Sequence, residues 1–193
     1  MQKAAFAIFA VALACSSGNA QADETQRQLG PHEHGHGTLN MAFEGSKLEL
    51  ELEVPGMDIV GFEHAASTPE QQALVETARN DLGEGILSLL VFPDAAGCKL
   101  MSNSVAVVAE EHHDDGDSQD KDANADEDHE DSHNVFRGTY QLTCSAPEQL
   151  TSIDFRFFER FTGSEELDVT LIGEKGQSAY EVKRESPQLE LAR

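Results

Sequence analysis

His32-Glu33-His34-Gly35-His36-Gly37-Thr38-Leu39-Asn40-Met41-Ala42-Phe43-Glu44-Gly45-Ser46-Lys47-Leu48-Glu49-Leu50-Glu51-Leu52-Glu53 is the stretch that decides the fold. On both sides of Gly45-Ser46, apolar and polar residues alternate with period two, the pattern of half-buried strands. Gly followed by Ser predicts a two-residue type II′ hairpin turn, with glycine where φ must be positive. That turn sets Glu44 against Lys47, then Phe43 against Leu48, Met41 against Leu50 and Leu39 against Leu52, all apolar on one face. Asn40 meets Glu51 and Thr38 meets Glu53 on the other face. A slip of one residue would turn every apolar side chain to the wrong side, so the register is well specified.

The same ladder, continued past Thr38, would put His36 opposite Pro55, His34 opposite Met57 and His32 opposite Ile59. It would bring Asp58 and Glu63-His64 towards the histidine end of the first strand. His32, His34 and His36 share a side-chain direction if the strand runs that far, a condition that Gly35 and Gly37 weaken. Imidazole nitrogens together with a carboxylate are the donors a Zn²⁺ site uses.

The chain has 193 residues, enough for one domain with its own core. Residues 1–22 read as a secretory signal peptide. Lys3 supplies a minimal charged start, Ala4 to Ala14 are apolar, and Ala20-Gln21-Ala22 is a small-x-small cleavage signal. Ala12, Leu13 and Ala14 match a lipidation signal at Cys15 poorly. No later apolar stretch is long enough to span a bilayer.

The formal charge is −23, and losing Lys3 with the signal takes it to −24. Nucleic acids and anionic lipid surfaces both require basic patches, so neither is an expected partner. A field of this sign attracts cations. The mature chain keeps Cys98 and Cys144, for which a disulfide is the expected state in an oxidising compartment. A thiolate metal pair is the alternative, though neither cysteine sits in a Cys-x-x-Cys run.

Asp23 to Pro31 is a polar, flexible leader, and residues 32–193 form one domain. After the hairpin, Pro55-Gly56 ends the second strand and Met57 to Ala66 make a turn-like excursion anchored by Ile59, Val60 and Phe62. Ser67-Thr68-Pro69-Glu70 opens a helix that runs to about Leu82, with Ala73, Leu74, Ala78 and Leu82 expected to face the core. Ile86 to Phe92 fits a short helix or a strand. Cys98–Val108 and Val135–Cys144 read as paired strands, with Cys98 opposite Cys144 and Leu100 opposite Leu142. Ser152–Phe158, Glu166–Ile172 and Ser178–Lys183 read as three more, and Leu189 and Leu191 as an edge segment. The expected fold class is therefore α+β and β-rich, with antiparallel strands in a sandwich-like arrangement and one inserted helix.

The insertion from Glu110 to His133 is dominated by Asp and Glu and carries His112, His113, His129 and His133. Almost nothing in it can be buried, so a disordered loop is expected. Long acidic runs usually serve as solvated spacers, but four interleaved histidines point towards auxiliary metal capture. Asp120-x-Asp122-x-Asn124 imitates the start of a calcium loop. Ala125 in place of glycine and Asp131 in place of the bidentate Glu argue against an EF-hand. Likewise a polar leader rich in solvated histidine is the plain reading of His32, His34 and His36, and a capped loop residue that of His64. No Gly-x-Ser-x-Gly elbow, His-Glu-x-x-His helix or phosphate loop is present, so an enzyme is not expected.

The His-x-His-Gly run before Leu39-Asn40, the Asp58-Ile-Val-Gly-Phe-Glu-His64-Ala run and Ala95-Ala-Gly-Cys98 resemble the ZrgA-type periplasmic zinc-binding proteins. Phe158-Glu-Arg-Phe161 and Gly176-Gln-Ser178 extend the resemblance over the whole mature chain. It implies a periplasmic protein that captures Zn²⁺ for zinc acquisition beside the periplasmic component of a zinc ABC importer. It also implies His32, His34, Asp58 and His64 as ligands, beside which His36 and the insertion histidines are read, from the residues alone, as auxiliary ones. The insertion is richer in Asp and poorer in His than the resemblance leads one to expect, which favours weak cation capture there. Two alternatives stand beside this expectation. One is a binder of Cu²⁺ or Ni²⁺, which imidazole also suits; the other is an adaptor β-domain whose metal is structural.

Overall fold

The computed structural model describes residues 33–110 and 133–191. The expected signal peptide, the leader, His32, and insertion residues His112, His113 and His129 lie outside the described residues.

The hairpin forms in the register its sequence pattern predicts. Strand β1 (His36–Glu44) and strand β2 (Lys47–Pro55) are antiparallel, with Phe43 opposite Leu48, Met41 opposite Leu50 and Leu39 opposite Leu52. Gly45 takes φ +59 and Ser46 keeps a negative φ, as the turn requires. Leu39, Met41, Leu48, Leu50 and Leu52 are buried and Phe43 is half-buried. Each fully buried side chain of this size contributes about 1.5–3 kcal/mol.

Around this pair a six-stranded sheet is ordered β4-β5-β2-β1-β7-β8, from β4 (Cys98–Glu110), β5 (His133–Cys144), β7 (Glu166–Gly173) and β8 (Gly176–Lys183). A second, three-stranded sheet has the order β3-β6-β9, from β3 (Leu90–Val91), β6 (Ser152–Phe155) and β9 (Gln188–Glu190). The protein is mostly β, with antiparallel pairs throughout except one: β1 and β7 run parallel. Both sheets feed one core, in which Leu50 and Leu52 belong with Ile153 and Phe155.

Cys98 and Cys144 face each other across β4 and β5 and form a disulfide at the base of that hairpin. At its other end the ladder continues to Glu110 opposite His133, so both boundary residues of the expected insertion are strand residues. The Tyr140 ring lies over Gly138 on the same strand face, filling the space that glycine leaves.

Four helices occur among the described residues, α1 (Gly56–Val60), α2 (Pro69–Gly83), α3 (Ile86–Leu89) and α4 (Phe157–Arg160). Only α2 is long. Thr68 caps it in a capping box with Gln71, in keeping with the start predicted from Ser67-Thr68-Pro69. Its buried stripe is Ala78 and Leu82, flanked by half-buried Val75; Ala73 and Leu74 face solvent instead of the core. The helix packs on β4, where Arg79 donates to the Val105 carbonyl, and also against α1, α3 and β5, and these neighbours cover only a narrow stripe of it. The ambiguous Ile86–Phe92 run divides into α3 and β3. The strand expected to reach Phe158 stops at Phe155, because α4 places Phe157 and Phe161 one turn apart with ring centroids 5.1 Å from each other.

Candidate metal centre

At the histidine end the ladder does not continue as period two predicts. Pairing of β1 with β2 stops at Thr38 opposite Glu53, and His36 pairs with Glu166 of β7 rather than lying opposite Pro55. Two local causes account for this. Pro55 has no N–H to give to the ladder, and α1 begins at the next residue, so no strand stands opposite His34. Gly35 takes φ +88, which turns the chain ahead of His36.

That turn is anchored on both sides. The Gly35 N–H lies 2.8 and 3.0 Å from the two carboxylate oxygens of Asp58 in α1. The Gly35 carbonyl accepts the N–H groups of Glu165 and Glu166, at 2.7 and 2.9 Å. Asp58 is only 4% exposed. Burial pushes its carboxyl above the ordinary carboxylate range, while the Gly35 N–H and the imidazoles of His34 and His36 pull the other way.

The excursion after α1 is tied to the start of β5. Asn134 donates its main-chain N–H to the Glu63 carbonyl at 2.8 Å and its side-chain amide to the His64 carbonyl at 2.9 Å. Glu63 is thereby aimed between two histidines. One carboxylate oxygen meets His34 Nε2 at 2.7 Å and the other meets His133 Nδ1. The Glu63 side chain is largely covered, at 12% exposed, whereas those of His34 and His133 are 59% and 36% exposed.

The residues expected from sequence are thus distributed as follows. His34 is joined to Glu63, and His133, expected to act with the insertion, comes to the same carboxylate. Asp58 sits beneath them on the Gly35 N–H. His64 points elsewhere: its Nδ1 bonds the Ala65 carbonyl, and its ring stacks on Phe62 with centroids 5.0 Å apart. His36 is exposed at the start of β1. The ladder predicts Glu63 near the histidine end of β1, but the expected ligand set carries its neighbour His64 and not Glu63. Its direction is set by the left-handed Gly61 that ends α1 and by the Asn134 bonds, which strand periodicity does not reveal.

The donor chemistry fits Zn²⁺. Nitrogen and oxygen donors around a tetrahedral zinc lie about 3.3 Å apart, so for one ion to be shared the His34–Glu63 pair has to open from 2.7 Å and both rings have to turn towards a common point. The two imidazoles approach opposite oxygens, and His34 is the more exposed of the two. Among the described residues, Glu166, Asp168 and Glu181 bring their oxygens within 4.8 Å of one another. Lys183 lies 3.1 Å from Glu166 and 3.7 Å from Glu181, so an ammonium already compensates that patch.

A β-rich domain with a disulfide-stapled hairpin and an imidazole–carboxylate cluster at one sheet end is the class these observations define. A profile described as ZrgA family zinc uptake protein matches residues 31–191, and the chain belongs to that family. Its role therefore falls within zinc acquisition. No curated protein matches the chain. No described helix is long and apolar enough to cross a membrane.

Proposed function

We propose that this protein captures Zn²⁺ outside the cytoplasm, in the periplasm, and presents it for uptake, with His34, Glu63 and His133 as the core of its ordered site. The observation that carries the reading is the Glu63 carboxylate held between two accessible imidazoles. Two neutral nitrogens and one carboxylate, with a position left for water or a further histidine, match a site that must release its ion as well as bind it. His36 stands nearby as an auxiliary donor, and Asp58 lies below. The signal peptide read in residues 1–22 and the Cys98–Cys144 disulfide support an oxidising compartment. The periplasmic component of a zinc ABC importer is the proposed recipient.

Titration of the metal-stripped protein with Zn²⁺ against a competing chelator tests the site. Glu63→Gln keeps the shape of the side chain and removes its charge, so the tightest affinity is expected to fall by about 100-fold, the loss of one strong charged interaction. An unchanged affinity in the folded variant would overturn the assignment. Parallel titrations with Cu²⁺ and Ni²⁺ show whether zinc is the preferred cargo.

A further inference from the structure

We infer that Asp58 is a positioning residue of the zinc site and donates nothing to the ion. This rests on the reading above, that the ion is held by His34, Glu63 and His133. Both Asp58 oxygens are turned to one main-chain donor, the Gly35 N–H, at 2.8 and 3.0 Å. A carboxylate taken this far out of water is costly unless hydrogen-bonded. Swinging it to a metal would strip the Gly35 N–H of its acceptor and leave a buried donor unsatisfied.

The use of the clamp is visible in what flanks it. Gly35 lies between His34 and His36, in a left-handed turn closed by the His36 N–H on the Glu33 carbonyl at 3.1 Å. With the Gly35 carbonyl fixed by Glu165 and Glu166, the peptide groups on both sides of Gly35 are held. The direction in which His34 leaves the chain, towards Glu63, follows from that. Asp58 therefore does for the main chain what outer-shell partners do for ligating side chains. Glu63 differs in kind, because its oxygens face two imidazoles, one exposed and one part-buried, rather than a buried N–H.

Substitution by the isosteric amide separates the two roles. Asp58→Asn keeps an oxygen for the Gly35 N–H, so zinc affinity should stay within about fivefold of the parent, the residual loss being one nearby charge. Asp58→Ala removes the acceptor and should weaken binding by about 10–100-fold, the usual range for loss of an outer-shell partner. The visible spectrum of the Co²⁺-loaded protein should be the same for the parent and Asp58→Asn, since the donor set is the same.

A second measurement uses the unaltered protein. Hydrogen exchange of the Gly35 amide should stay protected, or become more so, when Zn²⁺ is added. Loss of that protection, or an Asp58→Asn variant that binds zinc as poorly as Asp58→Ala with a changed cobalt spectrum, would make Asp58 a ligand and overturn the inference. His34→Ala is the control: were it and Glu63→Gln both to leave zinc affinity unchanged, the proposed site itself would be at fault.

Discussion

The two ends of the β1–β2 hairpin follow different rules. From Thr38 to Glu53 every rung falls where alternation of apolar and polar residues puts it, because a slip would expose Leu39, Met41, Leu48, Leu50 and Leu52 together. From Glu33 to His36 and from Gly56 to His64 the same periodicity fails. There the geometry is set by single polar contacts: Asp58 on Gly35, Asn134 on Glu63 and His64, and Glu63 on His34 and His133. The lesson is a division of labour. A distributed apolar ladder supplies a rigid platform, and a few directional bonds place the donors at its edge.

That division can be broken at the platform first. Replacing Cys98 and Cys144 by serine frees a loop of 46 residues. The chain-entropy account gives a stability loss of roughly 4 kcal/mol. Chemical denaturation should show it, with zinc affinity of the folded fraction unchanged. A loss below about 1 kcal/mol would mean that the unfolded chain is already constrained without the bond.

Next in size is the ladder itself. Leu50→Ala leaves a cavity in the core and should cost about 2–5 kcal/mol, again without a change in the donor set. Leu74→Ala, at a position that is 52% exposed on α2, should cost less than about 0.5 kcal/mol. Equal losses at the two positions, read from denaturation midpoints, would show that the α2 stripe is wrongly placed.

The sequence shows the platform clearly and the site only in part, for a physical reason. Hairpin register, the disulfide pairing of Cys98 with Cys144 and the cap at Thr68 are local or periodic features, and each was legible. Leu74 faces solvent because several helical stripes share Ala78 and Leu82, and only tertiary packing on β4, β5, α1 and α3 chooses among them. α4 was read as strand because Phe157 and Phe158 continue an apolar run whose period changes only at Phe161. The parallel pairing of β1 with β7 depends on the path through the second sheet, which has no local signature. At the site, His34 and Asp58 are recognisable as chemistry-bearing residues and the ladder brings Glu63 near them, yet the contacts of Asp58 with Gly35 and of Glu63 with His133 are not. Glu63 meets His133 across 70 residues of chain, and nothing in either neighbourhood marks that meeting.

A smaller effect is expected from the insertion. β4 and β5 pair up to Glu110 and His133, so deleting residues 111–132 and joining the strands by a short turn should preserve the ladder. Native mass spectrometry should then find fewer bound zinc ions per chain, while the tightest affinity persists because His133 remains. Disappearance of the tight site would move it into the deleted residues.

The account stands most directly on one cycle of zinc affinities: His34→Ala, His133→Ala and the two combined, each measured by chelator competition on folded, metal-stripped protein. Residues that hold one ion act as a unit, so the double variant should lose little more than the worse of the singles. Strictly additive losses, or a loss from only one of the two histidines, would show that Glu63 does not join them around a common ion.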